Sequence, residues 1–250
     1  MSADSLQQAA DLVRSSSRIV ALTGAGISVP SGIPDFRSAG SGLWEKYNPM
    51  EVASLTSFMS HPERFYEWIY PLLEATDRAR PNPAHEALAA LQRAGRLGEI
   101  ITQNIDGLHE QAGSVDVLPV HGHTRTATCM TCGTRVSGEE LLPAIQPGEV
   151  PRCHNCGDGV MKPDVILFGE ILPTDVLSRA QAAARAADLM IVAGSSLEVW
   201  PVSELTGATL SCGGQVLIIN KGATTMDDRA TLKITGDLAE ALPEITRRAT

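Results

Sequence analysis

Basic residues are scarce in this 250-residue sequence: 20 lysines and arginines stand against 29 aspartates and glutamates, a formal net charge of −9. That balance argues against a nucleic-acid grip built on phosphate contacts and mildly favours a cationic substrate. Aromatics are also few, 4% against 43% hydrophobic residues overall, so an aliphatic core is expected. No apolar run approaches the ~20 residues that span a bilayer. The opening MSADSLQQAADLV has neither the basic start nor the apolar stretch of a secretory signal, so a cytoplasmic protein without membrane or nucleic-acid partners is expected. Five cysteines suit a reducing compartment, because four of them are spaced for a metal rather than for disulfides.

What is present begins with residues 18–22, RIVAL, a short β-branched run that reads as a buried parallel strand feeding into Gly24, Ala25 and Gly26. Glycines there let backbone N–H groups approach a pyrophosphate, and a following helix N-terminus adds partial positive charge. A hydride-transferring dehydrogenase would carry a third glycine at position 28 or 29 and an acid about 20 residues further on. This chain has Ser28 instead, and then two X-Pro steps, Val29-Pro30 and Ile33-Pro34, which favour extended or turn backbone. Asp35, Phe36 and Arg37 therefore arrive on a proline-stiffened loop beside a phosphate cradle.

Helical spacing over residues 5–16 and further expected strands at 98–102, 188–194 and 215–220 continue an αβ alternation. Asn82-Pro83 reads as the N-cap and first turn of a helix through Leu91 that stops near Gly95. Such alternation predicts an α/β fold, a parallel sheet with helices on both faces. Residues 38–71, with the helical HPERFYEWIY, and residues 124–162, with the cysteines, interrupt the pattern and are read as a smaller inserted domain. The large domain is then 1–37, 72–123 and 163–250. Ligands of such folds bind outside the carboxyl ends of the strands, here in the groove between the two domains.

Cys129, Cys132, Cys153 and Cys156 form two CxxCG knuckles separated by 20 residues, the spacing of four-thiolate zinc sites. Four thiolates leave no coordination position for water, so one structural zinc is expected. His154 reads as a spectator inside a knuckle and Cys212 as an inert lone thiol. Gln103, Asn104, Ile105 and Asp106 follow a buried strand, which is a site position, and His121 ends another apolar run immediately before Gly122.

Taken in order, GAGIS (24–28), GIPDFR (32–37), TQNID (102–106), HG (121–122), the two knuckles, FGE (168–170), GSSL (194–197) and Ile219-Asn220 resemble the sirtuins, the NAD-dependent protein-lysine deacylases. The resemblance runs from about residue 12 to residue 240. It implies a Rossmann-like large domain, a small zinc domain, and a cleft for NAD, consumed as a co-substrate, and for an acyl-lysine peptide. Carried onto this sequence, it places Gly24, Ala25, Gly26, Phe36 and Arg37 against NAD, with Phe36 over the ribose C1′. Gln103, Asn104, Ile105 and Asp106 would line the ribose and nicotinamide pockets, Asn104 and Asp106 with catalytic roles and Asp106 on the carboxamide. Gly194, Ser195 and Ser196 would hold phosphate or ribose, and Asn220 and Asp237 would sit near the adenosine. His121 would be the general base, and Val165, Leu167 and Phe168 would offer a strand edge to the substrate peptide.

The implied chemistry suits these residue types. The acyl oxygen attacks C1′ as nicotinamide leaves, which calls for an apolar wall such as Phe36 and Ile105 to exclude water. A neutral imidazole then activates a ribose hydroxyl. The implied products are nicotinamide, deacetylated lysine and 2′-O-acetyl-ADP-ribose. Ser195 stands where the family often has threonine, and the hydroxyl survives. Members that prefer succinyl or malonyl lysine share a Tyr-x-x-Arg pair, whereas here Tyr66 is followed three residues later by Ile69, so uncharged acyl groups are expected. The competing readings are a mono-ADP-ribosyltransferase on the same scaffold, a zinc-and-nucleotide module without chemistry, and a dehydrogenase that lacks its acid.

Overall fold

The strand that feeds the glycine loop is β1 (Ile19–Thr23), buried along its whole length. In a computed structural model, which describes residues 1–250 apart from 39, 41, 142–144, 147 and 148, it lies at the centre of a six-stranded sheet. The other strands of that sheet are β2 (Leu97–Thr102), β3 (Val117–Pro119), β7 (Leu189–Ala193), β8 (Gln215–Ile219) and β9 (Leu232–Ile234). Their order is β3-β2-β1-β7-β8-β9 and every pairing is parallel. Successive strands run outward from β1 one way and then, from β7, the other way. The order therefore reverses between β1 and β7, which opens a crevice at their carboxyl ends.

Side-chain alternation sorts the core into two layers. Ile19, Ala21, Ile100, Ile191 and Leu217 face α1 (Ala3–Ser15), α5 (Pro83–Arg93) and α10 (Leu238–Ala249). Val20, Leu22, Ile101, Val192 and Ile218 face α8 (Thr174–Ala186) and α9 (Glu204–Ser211). This is the expected sheet covered on both faces, with a nearly all-aliphatic core. The Asn82 side chain caps α5, accepting from the Ala84 N–H at 2.9 Å, and His85 completes a reciprocal box by accepting from the Asn82 N–H at 3.3 Å.

The smaller unit combines an antiparallel sheet, ordered β5-β4-β6, with helices. Its strands are β4 (Gly122–Cys129), β5 (Arg135–Ser137) and β6 (Met161–Val165), and its helices are α2 (Pro49–Val52), α3 (Leu55–Ser60), α4 (Pro62–Arg78) and α7 (Gly138–Leu141). The remaining short helix, α6 (Leu108–Gln111), follows the TQNID segment. Helix α4 runs unbroken across residues 71–72, where the sequence suggested re-entry into the large domain, and carries Pro71 inside it. Leu72 and Leu73 pack in one cluster with Phe65, Tyr66 and Met161, and this shared burial carries the helix onward past the proline.

Candidate active site

The loops leaving β1 and β7 meet at the sheet's reversal point. The Gly24 N–H donates to Ala193 O at 3.1 Å and the Gly26 N–H to Gly194 O at 2.9 Å. A β-carbon on Gly24 would lie 2.7 Å from Gly194 O, and one on Gly26 would lie 2.8 Å from Gly194 Cα. The glycines are thus needed for one loop to rest on the other, a packing demand that comes before any contact with phosphate. Gly194 itself has φ +69°, and a β-carbon there would stand 2.3 Å from the Ile27 nitrogen.

Above this contact lies a cleft of about 1240 Å³ between the large domain and the zinc-sheet unit. Gly24, Ala25, Gly26, Phe36, Arg37, Gln103, Asn104, Ile105, Asp106, His121, Val165, Leu167, Phe168, Gly194, Ser195, Ser196, Asn220 and Asp237 all line it. Residues from eight separate segments of the sequence therefore share one cavity.

Its floor is a buried polar network. The Ser28 hydroxyl donates to Asp106 Oδ2 at 2.7 Å, the Leu108 N–H donates to Asp106 Oδ1 at 2.9 Å, and Asn104 Nδ2 reaches both Ser28 Oγ and Gly24 O at 3.1 Å. Burial pushes the Asp106 carboxyl above its ordinary pKa, while these two donors pull it back. Behind Ser28 lie two buried imidazoles, His85 and His109, with ring centroids 5.0 Å apart. His109 Nε2 meets Thr23 Oγ1 at 2.9 Å, and Thr23 Oγ1 in turn donates to Thr102 Oγ1 at 2.9 Å. Burial lowers His85 to about 4 and His109 to about 3, the latter also because the two rings would repel if both were protonated, so both are neutral. Ser28, His85 and His109 went unread as functional residues. The available signals were a serine replacing the third glycine and a histidine in the first turn of a capped helix.

His121, partly buried, turns Nδ1 toward the Gln103 carbonyl at 3.2 Å. A ring that donates from Nδ1 presents Nε2 as its acceptor. Burial lowers its pKa, the Gln103 carbonyl opposes that, and the Arg37 charge adds to the lowering. A neutral base is the result.

Ser195 is already oriented by the same residue: Gln103 Nε2 donates to its hydroxyl at 2.9 Å and the Leu197 N–H does so at 3.2 Å. Leu197 holds φ +59°, a left-handed conformation that costs a non-glycine residue ~1 to 3 kcal/mol. It is pinned there by Thr225, whose hydroxyl donates to Leu197 O at 2.8 Å.

Sequence comparison matches residues 24–201 to the Sir2 family. The chain belongs to that family. It is 42% identical over 244 residues to NAD-dependent protein deacylase 2 of Archaeoglobus fulgidus, covering 97% of this chain and 95% of that protein. It is 43% identical over 234 residues to the NAD-dependent protein deacetylase of Thermotoga maritima, covering 92% of each. A solved Sir2 structure with deacetylated p53 peptide and 3′-O-acetyl ADP ribose has a TM-score of 0.92 to this Sir2-family chain at 40% identity, covering 97% of each.

In this Sir2 chain the four expected cysteines converge, each sulfur lying within 4.8 Å of the others. Zn–S bonds of about 2.3 Å make a tetrahedron with edges of about 3.8 Å. The Cys129–Cys156 and Cys132–Cys153 sulfurs are each 3.7 Å apart, which fits a single zinc ion. A β-carbon on Gly159 would sit 2.3 Å from Cys129 Sγ, so only glycine fits beside the cluster.

The peptide edge differs from expectation. Strand β6 stops at Val165, and the N–H groups of Ile166, Leu167 and Phe168 go to His121 O, the Glu170 carboxylate and Ala53 O. Residues 166–168 are a pinned ledge rather than a strand edge with unused amides. Beside it runs an aromatic wall, with Trp44 5.1 Å from Phe36, 6.3 Å from Phe168 and stacked on Trp68 at 5.5 Å. Tyr66 faces away from the cleft, fully buried, and donates to the Met161 carbonyl, while Ile69 does line it.

Proposed function

We propose that this chain deacetylates lysine side chains of proteins, consuming NAD and releasing nicotinamide and 2′-O-acetyl-ADP-ribose. The observation that carries this is the meeting, in one cleft, of a neutral His121 with the glycine-loop contact and the buried Asn104–Asp106 floor. NAD lies with its phosphates toward Gly24–Gly26 and Ser195–Ser196, its adenosine toward Asn220 and Asp237, and its nicotinamide toward Asp106. Asn104 and Ile105 line the ribose, and Phe36 covers C1′ once nicotinamide has gone. His121 Nε2 takes the proton from a ribose hydroxyl, a step that such bases commonly accelerate by ~10² to 10⁴. The ordered Ser195 hydroxyl meets its ligand without first losing rotamer freedom.

Zinc, held by Cys129, Cys132, Cys153 and Cys156, supplies folding energy to the small sheet, because four thiolates fill its shell. The acetyl-lysine peptide lies along the ledge at Val165, Leu167 and Phe168. Its acyl-lysine enters between Phe36 and the wall formed by Phe65, Trp68 and Ile69. No helix among the described residues is long and apolar enough to cross a membrane. A cytoplasmic location is part of the proposed reading, supported by four cysteines spaced for metal rather than for disulfides. Mixing the protein with NAD and an acetylated peptide tests the reading: nicotinamide and deacetylated peptide should appear in equal amounts. Nicotinamide release with ADP-ribose left on the protein or peptide would select the ADP-ribosyltransferase instead.

A further inference from the structure

The ledge itself poses a mechanical question. Between the end of β6 and the start of α8 the chain carries Ile171, 84% exposed, and Phe168, 37% exposed. Leu167, 5% exposed, anchors the middle of the loop in the core, but burial does not hold its outer part, where Phe168 and Ile171 face solvent, so a second tie must fix it. Lys162 on β6 does so from beneath. Its side chain is only 7% exposed, and its Nζ lies 3.0 Å from Glu170 Oε2, 2.7 Å from Val165 O and 3.4 Å from Pro163 O. Three ammonium protons thus meet three oxygens. Glu170 Oε2 also accepts the Leu167 N–H at 2.7 Å, and the Glu170 N–H returns to Leu167 O at 3.0 Å. One partly buried carboxylate thereby closes the turn and ties it to the zinc-bearing sheet, since Lys162 pairs with Thr128, next to Cys129. The far side is tied by Phe168, which donates to Ala53 O and accepts from the Leu55 N–H, each at 2.9 Å.

We propose that Lys162 and Glu170 are positioning residues for the acylated peptide, their ion pair holding residues 166–171 as a preformed ledge that links the zinc sheet to the cleft. The proposal rests on the peptide site described above. It gives the zinc sheet a role in substrate binding although none of its metal ligands lines the cleft. Preformed loops raise affinity because binding does not have to order them. Loss of the pair should therefore weaken peptide binding while leaving NAD, which meets the other wall, largely unaffected.

The test uses Glu170→Gln, which keeps an acceptor for the Leu167 N–H but loses the charge, together with Lys162→Met and Lys162→Arg. Fluorescence anisotropy with a labelled acetyl-lysine peptide is measured alongside steady-state kinetics, zinc content and melting temperature. Glu170→Gln and Lys162→Met should raise the peptide Kd and KM at least about tenfold. The KM for NAD and zinc content should stay at wild-type values, kcat should change little, and Lys162→Arg should recover part of the loss. A fall in kcat with the peptide KM unchanged, or an equal rise in the KM for NAD, overturns the positioning role. If Lys162→Met does not fold, Glu170→Gln decides by the same criteria. A wild-type protein that binds the peptide without releasing nicotinamide would overturn the proposed reaction, and the peptide Kd of the variants would still decide the role of the pair.

Discussion

The Ser28 hydroxyl donates to Asp106 at 2.7 Å and accepts from Asn104 Nδ2 at 3.1 Å, so one side chain sets the orientation of two cleft-lining groups. Ser28→Ala removes both contacts and leaves a buried carboxylate with the Leu108 N–H as its neutral donor. Losing a hydrogen bond to a charged group costs about 1.5 to 3 kcal/mol. A fall in kcat/KM for deacetylation of roughly 10- to 100-fold is therefore expected. Steady-state kinetics would check it, and activity within twofold of wild type would show that Asp106 holds its geometry without Ser28.

The neutral histidine pair predicts how stability responds to pH. His85 and His109 titrate at about 4 and about 3 in the folded protein, lowered from 6.5, so the unfolded chain takes up their protons first as pH falls. Their contribution is complete above pH 6.5 and is lost progressively as pH drops toward 4 and 3. Each shift of one unit is worth about 1.4 kcal/mol. Urea unfolding at pH 7.5 and at pH 5 should show a loss of a few kcal/mol. In His85→Gln, where the amide can still accept from the Asn82 N–H, the slope should fall by about one proton. An unchanged slope would mean that His85 is not the titrating group.

Much of this architecture was readable because the determining forces were local. Residues 18–22 and 188–194 read as buried strands from composition alone, and Asn82-Pro83 marked its helix because the cap lies within the segment it caps. The cysteine knuckles were equally plain, since their chemistry lies in their spacing. What stayed hidden depends on contacts between distant segments. Gly26 packs on Gly194 and His109 on Thr23, at sequence separations that no local window spans. The strand edge expected over residues 165–168 could not be seen to lend its amides elsewhere for the same reason: His121, Glu170 and Ala53 take the N–H groups of 166–168 from three directions. Helix α4 outran its expected end because its continuation is decided by burial of Leu72 and Leu73 rather than by Pro71.

The zinc centre should be stoichiometric and should carry stability. Elemental analysis should find one zinc per chain, and a strong chelator should lower the melting temperature. Binding energies in small zinc modules run to about 10–16 kcal/mol, and here the ligands Cys129 and Cys153 are themselves part of the small unit's buried cluster with Tyr66 and Met161. Cys129→Ser should abolish stoichiometric zinc. A metal-free wild type with an unchanged melting temperature would remove zinc from the account.

Acyl preference follows from the charges facing the cleft. Among the described lining residues the permanent cations are Arg37 and Lys221, and each is paired, Arg37 with Glu198 at 3.0 Å and Lys221 with Asp237 at 2.8 Å. The α4 side presents Phe65, Trp68, Ile69 and Leu72. A succinyl carboxylate placed there would be desolvated without a partner, a penalty of several kcal/mol. On matched peptides, kcat/KM for deacetylation should exceed that for desuccinylation by about 100-fold or more. The reverse order would mean that an unforeseen cation reaches the acyl chain.

His121 separates the proposed reaction from its nearest rival. Cleavage of the nicotinamide bond precedes the proton transfer assigned to this imidazole, so the two steps should respond differently to its removal. With His121→Ala, deacetylation should fall by about 10² to 10⁴. Exchange of labelled nicotinamide into NAD, which needs only the earlier step, should partly persist in the presence of acetyl peptide. In the wild type, the acid limb of the kcat/KM profile should lie below pH 6.5, because burial and the Arg37 charge lower the folded value and the base must be neutral to act. Loss of exchange together with deacetylation would assign His121 to substrate binding or to the first bond cleavage. Persistence of both would leave the proton transfer to another group, and the neutral ring held by the Gln103 carbonyl would then be structural.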